Sequence, residues 1–394
     1  MASAAVSSER PSIGVVGGGQ LARMLVEAAR QRQVDVVVQT GSVDDPAGRI
    51  ATSVVEADPV DAIATEQLLA RCSGITFENE WVSIEDLTAL EHRGARFRPS
   101  LASLSPLVNK VHQRRLLDQL AIPSPDWVEL TSIDSGSPTL PKDWSFPVMA
   151  KAATGGYDGR GTRVIRSDQA LAELLSEVDG EDWFLEAWVE YERELALVVS
   201  RDDQGRVRAL PLAETHQANQ VCDWVLTPAE VEQVVDATAY NMAASLLTKL
   251  DYVGVLAIEL FYGSKGLLVN EIAPRTHNSG HVSIEACASS QFDQQLCIAA
   301  GLDVPDPALV VPGALMVNLL GLPSGQAASL EQRLALLRSE PDLHVHWYDK
   351  QGESAGRKLG HVTVVLDAEE AGARRHQAKE ALERVRAIWP LPIS

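Results

Sequence analysis

Glu259 and Glu271, followed by Arg275, His277, Asn278 and His281, form the part of this chain best suited to chemistry. Glu259 lies in the apolar run 253–261 and Glu271 follows a second run, 267–270, with Gly263-Ser264-Lys265-Gly266 between them as a hairpin turn. Strand side chains alternate faces, and the even spacing of the two acids predicts that they share one face, nearly opposite each other. Paired carboxylates repel unless a cation lies between them, and Mg²⁺ takes one or two carboxylates together with substrate phosphates. The tail Ala273-Pro274-Arg275-Thr276-His277-Asn278-Ser279-Gly280-His281 adds a cation and imidazoles for a small anion. An exposed hairpin with both acids in water is the bland alternative.

Three other stretches invite chemistry. Lys151 precedes Gly155, Gly156, Tyr157, Asp158, Gly159, Arg160 and Gly161, a glycine-rich segment between two expected strands with no Gly-Lys-Ser/Thr ending. Such a flap brings backbone N–H groups over phosphates while Lys151 reaches the same charge. Glu186-Ala187-Trp188-Val189 offers backbone groups to an adenine edge, and Glu194 offers a carboxylate to ribose hydroxyls. Lys350, Arg357, Lys358 and His361, after His344 and His346, make a basic cluster that suits an anion, although a solvated loop reads the same way.

These groups need a scaffold of several units. Strand 13–16, the turn Gly17-Gly18-Gly19, helix 20–32 and strand 34–39 open a βαβ unit, with strands at 53–55 and 75–77 and helices from Asp61 and Ile84 extending it. The turn resembles a dinucleotide fingerprint, but the second strand ends in Gln39-Thr40 where a nicotinamide site carries an acid, so a single phosphate on the helix N-terminus is the better expectation. Ser105 and Pro106 predict the start of a helix to residue 120, and Thr227-Pro228-Ala229-Glu230 predicts the start of another, to about 249. Strands are expected at 148–152, 162–165, 183–188, 195–200 and 207–210, and beyond the hairpin at 315–319, 344–347 and 362–365, with helices between.

A net charge of −20 over 394 residues argues against general binding to nucleic acid or an anionic membrane, so any phosphate must be met by a few placed cations or a metal. No apolar run approaches the roughly 20 residues of a membrane span, and residues 1–11 lack the features of a signal peptide, which predicts a cytoplasmic protein. Cys72, Cys222, Cys287 and Cys297 show no metal-ligand spacing and read as free thiols.

Lys110, Lys151 with Thr-Gly-Gly-Tyr-Asp-Gly-Arg-Gly at 154–161, Glu-Ala-Trp-Val at 186–189, the Glu259/Glu271 hairpin with its tail, and His346-Trp347-Tyr348-Asp349-Lys350 occur in one order. That set resembles the ATP-grasp enzymes, and within them the 5-(carboxyamino)imidazole ribonucleotide synthase branch. The resemblance implies an α/β, ATP-grasp fold with an N-terminal open α/β (pre-ATP-grasp, Rossmann-like) domain at 11–104, an ATP-grasp region at 105–310 with a small α+β flap domain about 125–205, and a C-terminal α+β domain at 311–394. It implies carboxylation of 5-aminoimidazole ribonucleotide with ATP and bicarbonate through carboxyphosphate, in purine biosynthesis, by a homodimer.

Carried over by resemblance, Lys110, Lys151, Gly155, Gly156, Tyr157, Asp158, Gly159, Glu186, Val189, Glu194, Gln217, Asn270 and Glu271 would bind ATP, and Glu259 and Glu271 the magnesium. Arg275 would hold bicarbonate, with His277, Asn278 and His281 near the reacting amine; which of them moves a proton stays open. Gly18, Gly19, Gln20, Leu21, Glu78, Tyr157, Asp158, Arg160, Lys350, Arg357 and Lys358 would surround the ribonucleotide. Two departures stand out. Glu214-Thr215-His216-Gln217 replaces a Glu-Asn-x-His pattern, leaving either His216 or Gln217 to meet the nucleotide. Ala273 stands where many ATP-grasp enzymes carry an asparagine, which leaves the number of magnesium ions open. The rival readings are a formate-dependent glycinamide ribonucleotide formyltransferase, a nicotinamide oxidoreductase and a nucleotide sensor without turnover.

Overall fold

A computed structural model describes residues 10–134, 136, 138–156, 161–323, 328–352 and 354–392. The chain opens with β1 (Ser12–Val16), α1 (Gln20–Arg32), β2 (Asp35–Thr40), β3 (Ser53–Glu56), α2 (Ala62–Leu69), β4 (Gly74–Phe77) and α3 (Ile84–His92). The four strands form a parallel sheet in the order β3-β2-β1-β4. Its central strands are nearly continuous runs of buried valine and isoleucine, as a sheet covered on both faces requires. Pairing of Val16 with Phe77 brings the Gly17–Gly19 turn and the segment after β4 to one edge, the carboxyl edge where open α/β sheets present ligands.

A short α4 (Leu101–Leu104) and a 3₁₀ turn at Ser105–Leu107 precede α5 (Lys110–Gln119). The single helix expected from Ser105 is therefore broken. Asn109 supplies the cap instead, its Oδ1 accepting from Val111 N and His112 N, which makes Lys110 the first helical residue. A small antiparallel sheet follows, order β5-β8-β6-β7, from β5 (Trp127–Glu129), β6 (Val148–Ala152), β7 (Thr162–Ile165) and β8 (Trp183–Ala187), with α6 (Asp168–Glu177) packed on it.

The rest is organised on one nine-stranded sheet. Its members are β9 (Arg193–Arg201), β10 (Val207–Ala209), β11 (Ala213–Ala218), β12 (Val221–Thr227), β13 (Gly254–Gly263), β14 (Gly266–Ala273), β15 (Gly313–Leu320), β16 (Leu343–Trp347) and β17 (Lys358–Leu366). The order is β14-β13-β9-β11-β12-β15-β17-β16, with β10 on β9. The associated helices are α7 (Gln233–Lys249), α8 (Ser283–Ala286), α9 (Gln291–Ala300), α10 (Leu330–Ser339) and α11 (Ala371–Ile388). Strands β11 and β12 were not legible as such in the sequence. Thr227, expected as a helix cap, is instead the last residue of β12, paired with Ala314, and α7 begins six residues later behind Glu232. A strand ladder claims the backbone that a cap would need.

Helix α9 joins the two sheets. Its apolar residues Phe292, Leu296 and Ala299 share a core with α1 and β1. Its buried amides reach the other way: Gln295 Oε1 accepts from Val255 N on β13 at 2.7 Å while its Nε2 donates to Thr76 on β4 at 2.8 Å. Buried amides so satisfied fix one docking of the N-terminal sheet on the large one.

Candidate active site

Glu259 and Glu271 are direct cross-strand partners on β13 and β14, but even spacing is not the reason. Gly263 pairs with Gly266 across a two-residue turn, so in an unbroken ladder Glu259 would face Asn270. The register shifts between Glu259 and Leu260, leaving Asn270 as the extra residue of a bulge. Asn270 stays beside Glu259, its Nδ2 3.4 Å from Glu259 Oε2, while Glu271 moves opposite. Burial, then the charges of Glu271 and Glu194, push the Glu259 carboxyl up to about 7. Two hard oxygen donors held together at that cost suit magnesium, the remaining ligands coming from phosphate or water. Among the described residues no group of three or more His, Cys, Asp or Glu is placed to hold a metal alone.

Two lysines converge on this pair. Lys110 Nζ lies 3.1 Å from Glu271 Oε2, and its backbone N–H is tied to Ala153 O at the root of the glycine segment. Lys151 Nζ donates to Asn270 Oδ1 at 3.0 Å and pairs with Glu186 Oε2 at 2.6 Å. Arg114, one turn after Lys110 on α5, pairs with the same carboxylate at 2.5 Å. Burial opposes ionisation of Glu186, yet Arg114 and Lys151 hold its carboxyl below the usual range; burial pulls the Lys151 ammonium down. Glu186 is therefore the centre of a buried ion triad, and only its backbone is left for a nucleotide.

Beyond β8, the segment 188–192 carrying Val189 links the small sheet to β9. Glu194 on β9 sits two residues from Ala196, the partner of Glu259, so it shares that face; Tyr191 OH donates to its Oε1 at 2.6 Å. Glu194 pairs in turn with Thr215; the register of β11 against β12 shifts between His216 and Gln217, but the extra residue, Asp223, is on β12, so β11 keeps its alternation and Gln217 returns to the Thr215 face. His216 turns away, stacked on Trp224 and 3.2 Å from Asp223. Gly155 and Gly156 follow β6, whereas Tyr157, Asp158, Gly159 and Arg160 lie outside the described residues.

Past β14 the tail turns toward the N-terminal sheet. Arg275 Nε donates to Glu80 Oε2 at 2.6 Å, a partner the sequence reading missed although it stands two residues beyond Glu78. His277 Nε2 faces Glu259 Oε1 at 3.4 Å, and its Nδ1 meets Ser279 Oγ at 2.9 Å. Burial, with Arg275 and Lys358, holds this imidazole well below its ordinary range. Asn278 is held in a reciprocal amide pair with Asn318 on β15, at 3.0 and 2.8 Å. Gln291 binds the backbone of His277 and Nδ1 of His281, and His281 is fully buried. Nothing in the sequence marked Gln291 or Asn318, since a buried amide looks like any polar residue there.

The helix N-terminus of α1, expected to take a phosphate, is filled by the chain itself. Glu78 accepts from Gly19 N at 2.6 Å, Leu21 N at 3.1 Å and Ala22 N at 3.5 Å. Burial nevertheless pushes its carboxyl up, opposed by those N–H groups and by Lys350. A Cβ at Gly19 would come within 2.5 Å of Glu78 Oε1, so the carboxylate's close approach requires glycine there. Gln20 begins α1 beside this contact. In the basic cluster, Lys350 lies over the Tyr348 ring at 5.5 Å and Arg357 closes its own loop on Gly352 O at 3.1 Å. The charge of Lys358 also bears on Glu259, His277 and His281.

The geometry is that of a nucleotide- and anion-handling cleft, and comparison with known proteins gives it a lineage. Residues 11–105 match a ribonucleotide synthetase preATP-grasp domain, 115–292 an ATP-grasp domain, and 314–375 a phosphoribosylaminoimidazole carboxylase C-terminal domain. The N5-carboxyaminoimidazole ribonucleotide synthase of Synechococcus elongatus is 44% identical over 382 residues, covering 96% of each chain. A crystal structure of N5-carboxyaminoimidazole synthase from Aspergillus clavatus, in complex with ADP and 5-aminoimidazole ribonucleotide, superposes with TM-score 0.83 at 29% identity, covering 95% of this chain and 99% of that one. The Thermotoga maritima synthetase does so with TM-score 0.82 at 32% identity, covering 97% and 100%. With this identity along nearly its whole length, the chain belongs to the N5-carboxyaminoimidazole ribonucleotide synthase family of ATP-grasp enzymes.

Proposed function

We propose that this chain uses ATP and bicarbonate to carboxylate the exocyclic amine of 5-aminoimidazole ribonucleotide, releasing ADP and phosphate. The observation that carries the proposal is the convergence of Lys110, Lys151 and Asn270 on the Glu259/Glu271 pair, with Arg275 and His277 at its other side. Lys110 and Lys151 hold the ATP phosphates, Glu194 and Gln217 take the ribose side, and the backbone at Glu186 and Val189 meets the adenine. Glu259 and Glu271 hold magnesium, which when bound neutralises phosphate charge. Arg275 binds bicarbonate so that one of its oxygens attacks the γ-phosphorus and ADP leaves. Carboxyphosphate then yields phosphate and carbon dioxide, and the amine nitrogen bonds the carbon and sheds a proton, a step that requires water to be kept from the intermediate. Lys350, Arg357 and Lys358, with Glu78 and residues 18–21, surround the ribonucleotide. On this reading the units divide near 104 and 310, and the protein is a cytoplasmic homodimer.

The test is ADP and phosphate release by the purified chain. Turnover that requires bicarbonate and aminoimidazole ribonucleotide together supports the proposal; turnover with formate and glycinamide ribonucleotide instead overturns it. In the structure, no helix among the described residues is long and apolar enough to cross a membrane.

A further inference from the structure

Gln291 is the first residue of α9, yet it does not cap that helix; Ser290 and Asp293 do so with a capping box. Its side chain is fully buried and turned under the 277–281 loop. Oε1 accepts from His277 N at 2.8 Å and Nε2 donates to His277 O at 2.7 Å. Because a backbone N–H only donates and a carbonyl only accepts, these two bonds fix which end of the amide is nitrogen. The second Nε2 hydrogen then points to His281 Nδ1, 3.2 Å away, and that nitrogen must be the acceptor. The ring proton of His281 is thereby assigned to Nε2.

Two further observations bear on the same amide. A Cβ at Gly280 would lie 2.5 Å from Gln291 Oε1, so the loop is shaped around this side chain. His281 Nε2 is buried with no partner among the described residues, and with the proton on that nitrogen the only basic site of the ring is Nδ1, which already accepts from Gln291. Phe292, Tyr348 and His361 enclose the ring, with centroids at 5.6, 6.5 and 5.0 Å. Burial, then the charged or chargeable groups His277, Lys358, His346 and Arg275, oppose its protonation.

We propose that Gln291 is a positioning residue for carboxylation, which shapes the 277–281 loop and locks His281 as the neutral Nε2–H tautomer, so that His281 is not the base that receives the amine proton. This rests on the carboxylation reading above. It also means that the proton lost by the amine goes to a group other than His281.

The test is long-range ¹H–¹⁵N spectroscopy of the full chain carrying ¹⁵N-histidine, with His281 assigned by its loss in His281→Asn. The expected spectrum shows an acceptor-type Nδ1 and a protonated Nε2, unchanged from mildly acidic to mildly basic pH. A protonated Nδ1, or a doubly protonated ring near neutrality, overturns the proposal. In Gln291→Glu the amide donor is lost; the His281 proton is expected to move to Nδ1 and kcat for carboxylation to fall about 100-fold, with the KM for ATP within about twofold. Unchanged kcat in that variant also overturns it, and should the variant fail to fold, the wild-type spectrum decides. A chain with the expected tautomer that leaves aminoimidazole ribonucleotide unreacted would count against the functional reading alone.

Discussion

Arg275 and Glu80 meet at 2.6 Å across 195 residues of sequence, joining the tail of β14 to the carboxyl edge of the N-terminal sheet. Nε makes that contact while Nη1 donates to Thr276 O at 3.1 Å. Burial opposes ionisation of Glu80, but Arg275 holds its carboxyl below the ordinary range, so it serves as an anchor and not as a base.

Removing that anchor frees the guanidinium to rotate. Glu80→Ala is expected to raise the KM for bicarbonate about tenfold or more, the size of a hydrogen bond to a charged group, with Glu80→Gln intermediate and the KM for ATP little changed. Steady-state kinetics with bicarbonate varied checks this; equal rises in both KM values would point to a folding defect instead.

The Glu259 carboxyl, pushed up to about 7, gives a pH dependence of definite sign. In the metal-free chain it retains a proton that the unfolded chain has already released, so its contribution to stability is full at low pH and is lost as pH rises through about 7. Magnesium favours the ionised pair and is expected to flatten that loss. Glu271→Gln removes one of the repelling charges and should move the midpoint down, while abolishing phosphate release. Melting temperatures across pH, with and without magnesium, decide the matter; an unmoved midpoint in the variant would contradict the pairing.

Glu186 neutralises both Arg114 and Lys151 in a site from which its side chain is almost excluded from water, 3% exposed. Glu186→Gln leaves two buried cations facing each other and is expected to destabilise the fold by about 3 kcal/mol or more. Denaturant unfolding of the variant measures this directly, and a change under about 1 kcal/mol would show the triad relaxes into solvent.

The β11 register separates two neighbours. Gln217→Ala is expected to raise the KM for ATP about fivefold or more, the loss of one or more hydrogen bonds, whereas His216→Ala should leave it within about twofold. The reverse order of effects would mean that β11 pairs differently when nucleotide is bound.

Much of this was legible because period and punctuation coincide with local structure. The Gly17–Gly19 turn, α1, the Gly263–Gly266 hairpin and most strands follow from alternation and glycine placement. What escaped depends on partners distant in sequence. The bulge at Asn270 is set by the ladder, and the expected equivalence of even spacing with opposition held only because that bulge corrects an odd-numbered register. The false cap at Thr227 carries a sound local signal that the strand pairing with Ala314 overrides. Glu78 was expected, with the α1 turn, around the ribonucleotide, but nothing local says that its own carboxylate accepts from the N–H groups of that turn. Glu80, Gln291 and Asn318 became meaningful only when the fold supplied Arg275, His281 and Asn278.

The ladder between β12 and β15, Trp224 on Val317 through Thr227 on Ala314, runs straight through the division near 310. The part of the chain beyond that division is therefore not a detachable module. Severing it would bare two interior strands, and Val225, Leu226, Leu315 and Val317, all buried in the intact chain, would line open edges ready to recruit other chains. Truncations ending near 310 are expected to aggregate, and a split protein should recover solubility only when both halves are made together.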